Sequence, residues 1–325
     1  MNGRVRGRER TVSYDQPGGP STHRSSRWVC PPVSLQAGFP NERDEHSAES
    51  CIRSPTAPPP GCMNEAIAAL VRRHDPDRFL TALFASPGRR DALLTLYAFN
   101  HELARAREVA SEPPLALIRL QWWREVVEGE PKRHEVASPL SEAIAAGALK
   151  SSDLLPIIEA REAEAYGDFD TLADWRAWLL AGAGGLAVAA ASALGAPEPE
   201  LLRPFGAAYG VAGLARTAGM LAARGTCLLP RDLLAQHDLS PEAFVDDPVS
   251  APALRALADV VREGQALLAD AARIPVVRTA VAAALPAVLA RRDLARWPSV
   301  AVPRRLGDRL AVVLAGVSGR ILPRN

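Results

Sequence analysis

Residues 95–128, TLYAFNHELARAREVASEPPLALIRLQWWREVVE, decide the fold. Apolar side chains recur there every three to four positions, the period of an α-helix, with no sustained two-residue alternation. The double proline Pro113-Pro114 stops the first helix, and Ser111-Glu112 offers a start for the next, whose first turn tolerates proline. The same pattern runs outward in both directions. Further breaks fall at Asp75-Pro76, Pro87-Gly88, Pro131, Pro156, Pro197, Pro230, Pro241, Pro248, Pro275 and Pro303. The stretches between them are about 10–28 residues long, as in a large all-α domain. Residues 63–325 are therefore predicted to form a single all-α domain.

Residues 1–62 are of another kind. They hold 9 of the 28 prolines and 6 of the 23 glycines, and Leu35, Phe39 and Ile52 are their only Leu, Phe or Ile. Such a segment cannot bury enough apolar surface to offset chain entropy, so a disordered extension is predicted. Arg4, Arg6, Arg8 and Arg10 suggest a targeting peptide. No apolar region follows them, however, and Pro17, Pro20, Pro31 and Pro32 interrupt any amphipathic helix. Met63, directly before the first helical pattern, is the better candidate for the true start.

Composition narrows the function. The 325 residues carry 38 Lys+Arg and 37 Asp+Glu, a net charge of +1, which argues against a nucleic-acid partner. Lys132 and Lys150 are the only lysines, as in a GC-rich coding bias, so arginine counts alone mean little. Cys30, Cys51, Cys62 and Cys227 form no CxxC pair and indicate neither a disulfide framework nor a zinc site. Cys227 reads as a packed thiol. Residues 177–197, AWLLAGAGGLAVAAASALGAP, carry no charge over 21 positions, the length of a membrane span. Nine Ala and four Gly against four Leu favour a buried central helix instead.

A second stretch, residues 203–240, reads RPFGAAYGVAGLARTAGMLAARGTCLLPRDLLAQHDLS: a small-residue helix running into RGxxLLPxDLLxxHxLS. Its order with LQWWRE, with DRFLTALFASPGRRDALLTLYAF (77–99) and with LPAVLARRDLARW (285–297) resembles the squalene/phytoene synthase family of head-to-head prenyl transferases. The likeness covers essentially all of 63–325. It implies a prenyl-synthase-type helical bundle around a central cavity. In that family two Asp-rich motifs on facing helices converge on magnesium ions, which neutralise two prenyl diphosphates and help the leaving group depart. The resulting carbocations need a dry apolar cavity.

Against that pattern, the paired aspartates of the first motif fall on Ala104 and Arg105, and its last on Glu108. Those of the second fall on Thr217 and Leu221, and Phe205 to Gly225 contains no Asp or Glu. Glu102 and Glu108 are about 120° apart round a helix, not on one face. FNxELA, then SE, then LQWW, with a degenerate second motif, is similar to a divergent branch of the superfamily. That branch is tied to assembly of respiratory complex I (NADH dehydrogenase) at a membrane.

The resemblance thus implies no confident catalytic residue, no metal ligand and no cofactor. Mg2+ would be needed only under the alternative, an active prenyltransferase making a phytoene- or squalene-type product. Arg105, Arg216 and Arg224 are candidates to fork onto a diphosphate, although a helical Arg is more often solvated or salt-bridged. Tyr97, Phe99 and Trp122 are candidate cavity residues, with core packing as the competing reading, as for Trp123 and Tyr209. Glu108 with His101 and Glu102 is a weaker candidate for one metal. Glu159, Glu162 and Glu164 read as an exposed face, with Glu164 near a position often acidic in the family. The expected function is a non-catalytic member that binds an isoprenoid or lipid, a protein partner such as complex I subunits, or both. The expected location is cytoplasmic, or peripheral at an inner membrane (mitochondrial in a eukaryote).

Overall fold

Asn64 opens the first helix by accepting the backbone N–H of Ile67 at 3.2 Å, a side-chain N-cap. Asp75 does the same for the second helix, taking Arg78 N–H at 3.0 Å. In this computed structural model, residues 64–110, 112–299 and 304–323 are described. The expectations for 1–62, for a start at Met63 and for Ser111 lie outside them.

The described residues form helices and no strand. In chain order they are α1 (Glu65–His74), α2 (Pro76–Ala82), α3 (Pro87–Glu108), α4 (Pro113–Glu128), α5 (Ala137–Ala145), α6 (Ser151–Tyr166) and α7 (Leu172–Leu179). A π-turn, Leu180–Gly184, joins α7 to α8 (Gly185–Ala193). Then come α9 (Arg203–Ala222), α10 (Arg231–Ala235), α11 (Pro241–Asp246), α12 (Ala251–Ala272), α13 (Val281–Ala284), α14 (Pro286–Arg296) and α15 (Leu306–Ser318). Five of these, α2, α3, α4, α11 and α14, begin on a proline, whose missing N–H is one the first turn leaves unpaired anyway. Pro156 does not break the chain as predicted; it lies inside α6. It removes one ladder bond, but Leu154, Ile157 and Ile158 beside it are fully buried, and their packing outweighs that loss.

Periodicity becomes packing most plainly on α12. Ala253, Ala256, Leu257, Val260, Val261, Gly264, Leu267, Leu268 and Ala271 are its buried face, against α9 and α14. Truncating Leu267, 2 % exposed, to Ala would cost about 2–5 kcal/mol. Helix α3 runs through the core, with Leu93, Leu94, Leu96, Phe99 and Leu103 buried. The Leu172–Ala193 run is long and apolar enough to cross a membrane by composition, yet 56 % of its most apolar 18-residue stretch is buried inside the protein. All of α8 except Ser192 is buried, as expected of a central helix. Helix α9 lies close on this run. A methyl on Gly206 would collide with the Ala183 carbonyl oxygen, and one on Gly210 would lie 2.6 Å from the Ala183 methyl.

Candidate functional site: a cavity between α3, α6 and α9

The central cavity has a volume of about 270 Å³. Helix α3 reaches it through Asn100, α6 through Arg161 and Glu164, and α9 through Tyr209, Thr217 and Leu221. Gly182, Gly210 and Gly213 line it as well, and of the three only Gly213 would point a side chain into open space. A π-turn inside a helix is itself a feature common at functional sites.

Arg78 sits at one end of the cavity. Its guanidinium donates to Asp75 Oδ2 at 2.8 Å and lies 4.8 Å from the centre of the Tyr209 ring and 5.8 Å from that of Tyr97. Burial alone would favour the neutral form of Arg78, but Asp75 and the tyrosine rings outweigh it and keep the cation. Burial also pushes the Tyr97 hydroxyl up to about 12 and raises that of Tyr209, so both stay protonated. Tyr209 donates to Asp77 Oδ2 at 3.1 Å.

The other polar group spans α3 and α6. Arg161 donates to Glu164 Oε2 at 2.6 Å and to Asn100 Oδ1 at 3.3 Å. Two of the five guanidinium donors are thereby engaged. Nearby, Arg107 of α3 donates to Thr226 Oγ1 at 3.2 Å, which ties α3 to the loop after α9. Trp178 lines the cavity and hangs its Nε1 on the Ala160 carbonyl at 2.9 Å.

Several sequence candidates sit elsewhere. Thr217 and Leu221 do line the cavity, one turn apart on α9. The Thr217 hydroxyl donates to its own helix, at Gly213 O, 2.9 Å. On α3, Ala104 is half-buried, while Arg105 and Glu108 are exposed and outside the lining. Arg105 pairs with Glu102 at 3.1 Å, so its charge is spent on its own helix. Arg216 turns 100° away from Thr217 and faces Asp77 and Asp293 at 3.9 and 3.7 Å. Arg224 is exposed, beyond the end of α9. Phe99 is core, edge-on to Trp123 at 5.5 Å. Trp122 packs on Trp123 and His134 and borders an open surface hollow instead. Tyr97 is buried beside Arg78, in a minor pocket of about 10 Å³ rather than the main cavity. Arg105, Arg216 and Arg224 are thus outside the cavity lining, and the cations that line it are Arg161 and Arg78, which the sequence reading did not single out. Asn100 was visible only inside FNxELA.

Behind α9 lies an ionic network. Arg304 donates to Asp77 Oδ2 at 2.9 Å and to Asp293. Arg292 and Arg296 reach Asp308 at 2.7 and 2.6 Å. Burial opposes ionisation of Asp308, but those two hydrogen bonds hold its carboxyl down to about 2. Burial raises the Cys227 thiol, which is free and half-buried, in keeping with a packed role.

Magnesium needs several oxygens and prefers carboxylates plus phosphates. Glu164 is the one carboxylate lining the cavity, and Arg161 already neutralises it. Among the described residues no three His, Cys, Asp or Glu side chains converge as a ligand set. These donors do not fit a bridging magnesium cluster.

Comparison with known proteins bears on the fold and the family. The chain resembles the crystal structure of squalene synthase HpnC from Alicyclobacillus acidocaldarius, with a TM-score of 0.60 and 22 % identity. That match covers 71 % of this chain and 91 % of the other. It also resembles a dehydrosqualene synthase in complex with ligand, with a TM-score of 0.64 and 12 % identity, over 78 % of this chain and 96 % of the other. At such identities these structures establish the fold, the all-α isoprenoid synthase bundle. In sequence, the chain is 27 % identical over 187 residues to NADH dehydrogenase (ubiquinone) complex I, assembly factor 6, of Mus musculus. It is 26 % identical over 184 residues to the Homo sapiens protein of that name. The match covers 54 % of this chain and 55 % of each relative, so the chain spans about half their length. The squalene/phytoene synthase profile matches residues 71–299, more than two thirds of the chain. This chain therefore belongs to the squalene/phytoene synthase family.

Proposed function

We propose that this chain is a non-catalytic member of its family that holds one isoprenoid or other lipid-like ligand and acts in respiratory complex I assembly. The observation that carries the first half is the cavity's charge. Where the family's chemistry calls for converging carboxylates, α9 brings Thr217 and Leu221, and Glu164 is closed by Arg161. A prenyl diphosphate could be met there by arginine without metal. Size supports the same reading. About 270 Å³ is near the lower bound of the roughly 300–1,000 Å³ of a site for one drug-sized ligand, and two long prenyl chains would need more. The second half rests on likeness to the assembly factors, over half their length. Peripheral contact with an inner membrane belongs to the same proposal.

The test is incubation of the purified chain with farnesyl and geranylgeranyl diphosphate and magnesium. Calorimetry should show saturable binding of one ligand, and no pyrophosphate should appear. Magnesium-dependent pyrophosphate release with a thirty- or forty-carbon product would establish the active prenyltransferase instead. Absence of both binding and turnover would remove the isoprenoid ligand from the proposal.

A further inference from the structure

Helix α15 is apolar on two faces. One carries Val312, Ala315 and Gly316 into the bundle, where Gly316 lies so close to the Phe84 ring that a methyl there would collide with it. The other faces solvent. Leu306, Leu310, Leu314 and Val317 are 72, 51, 70 and 66 % exposed, and Val313 is 36 % exposed. These five recur at i, i+4, i+7, i+8 and i+11, a single stripe roughly 100° wide. Among the described residues nothing covers it.

Charge identifies what the stripe fits. Pro286 to Pro323 carries seven arginines and two aspartates, +5 in a chain whose whole net charge is +1. Both aspartates, Asp293 and Asp308, are buried and paired with arginine. The exposed charge on α15 and its flanks is therefore all positive. Arg309 borders the stripe, and Arg305 and Arg320 stand at the two ends of the helix. Apolar side chains along one face with arginines beside and beyond them match a helix lying in the plane of a bilayer interface.

We propose that the exposed face of α15 docks on an anionic lipid bilayer, with its leucines and valines at the acyl boundary and Arg305, Arg309 and Arg320 among the headgroup phosphates. The proposal rests on the membrane contact included in the proposed function and names the surface that makes it, but it is independent of what the cavity holds, so the two tests fail separately. It is tested by co-sedimenting the full chain with vesicles of phosphatidylcholine alone and with vesicles one-third phosphatidylglycerol. Binding is expected on the anionic vesicles, weakening with salt. L310E/L314E should abolish it with unchanged helix content, since both side chains are exposed. R309Q and R320Q should each lower partition about fivefold, one arginine's share of the attraction to such a surface. Failure of the parent chain to bind anionic vesicles overturns the proposal, as does undiminished binding by L310E/L314E. A parent dimer that L310E/L314E makes monomeric, without vesicle binding, would show a self-interface instead. If L310E/L314E lost helicity, R309Q/R320Q would decide alone, and parent-level binding would overturn the proposal.

Discussion

Two glycines on one face of α9 should respond to substitution in opposite ways. At Gly206 a methyl collides with the Ala183 carbonyl oxygen and lies 2.6 Å from the Ala187 methyl. The obstruction is backbone of the π-turn, which cannot rotate aside. Overpacking of this kind costs about 1–3 kcal/mol or more, and helix propensity returns about 1 kcal/mol. Taking the upper end, G206A should lose about 2 kcal/mol, or roughly 4–8 °C in Tm for a domain of this size. At Gly213 a methyl meets nothing within 4 Å, and the position lines the cavity. G213A should therefore gain up to about 1 kcal/mol from propensity alone. G213L keeps that sign and puts a four-carbon side chain into a space of about 270 Å³. It should fold as well as the parent and fail to bind farnesyl diphosphate. Thermal unfolding by circular dichroism and titration calorimetry read the two effects separately. A G213L variant that melts as low as G206A, or binds as the parent does, would refute the assigned cavity wall.

Arg161→Gln should weaken metal-free prenyl diphosphate binding about tenfold or more, the worth of one charge-assisted hydrogen bond, as read by calorimetry. Asp308, held down to about 2, contributes stability that is present above its ordinary value near 4 and lost as pH falls through 2. D308N should therefore cost at least roughly 2 kcal/mol at neutral pH and flatten the acid limb of urea unfolding. His101 is lowered by burial, then by His74 stacked at 4.4 Å, while Glu102 and Glu108 oppose that and Arg105 adds to it. Its neutral form is favoured, so its share of stability is present above about pH 6.5 and declines as pH falls; H101Q should reduce that decline between about pH 8 and 5.

The bundle was readable in the sequence because its punctuation is local. Pro76, Pro87 and Pro113 begin helices where the breaks place them. Pro156 misled because its cost is local, while the burial of Leu154, Ile157 and Ile158 in the core is not. The family resemblance, rather than spacing, singled out Thr217 and Leu221, and both line the cavity, one turn apart on α9. The cations were not readable. Arg216 is adjacent in sequence to Thr217 but points to Asp77, 139 positions away along the chain, and to Asp293. Arg161 meets Asn100 across 61 positions, a pairing no window along the chain contains.

Composition and exposure point to different helices as the place where this chain could meet a lipid. By composition it is the uncharged run through α7 and α8, but that run is fastened to the bundle. Trp175 donates to the Leu228 carbonyl, Trp178 to that of Ala160, and Arg203 to that of Leu180, each at 2.9 Å. Drawing the run into a bilayer would strand three partners at about 1–3 kcal/mol apiece and part it from Gly206 and Gly210. Helix α15 has no such cost, because its three leucines and two valines already face water. Full burial of one such side chain is worth about 1.5–3 kcal/mol, and these are one-third to three-quarters exposed. Docking the stripe would therefore release roughly 5 kcal/mol while leaving every hydrogen bond of the fold in place. What draws a helix to a membrane is the apolar area it still shows to water, which a hydropathy sum over the sequence does not measure.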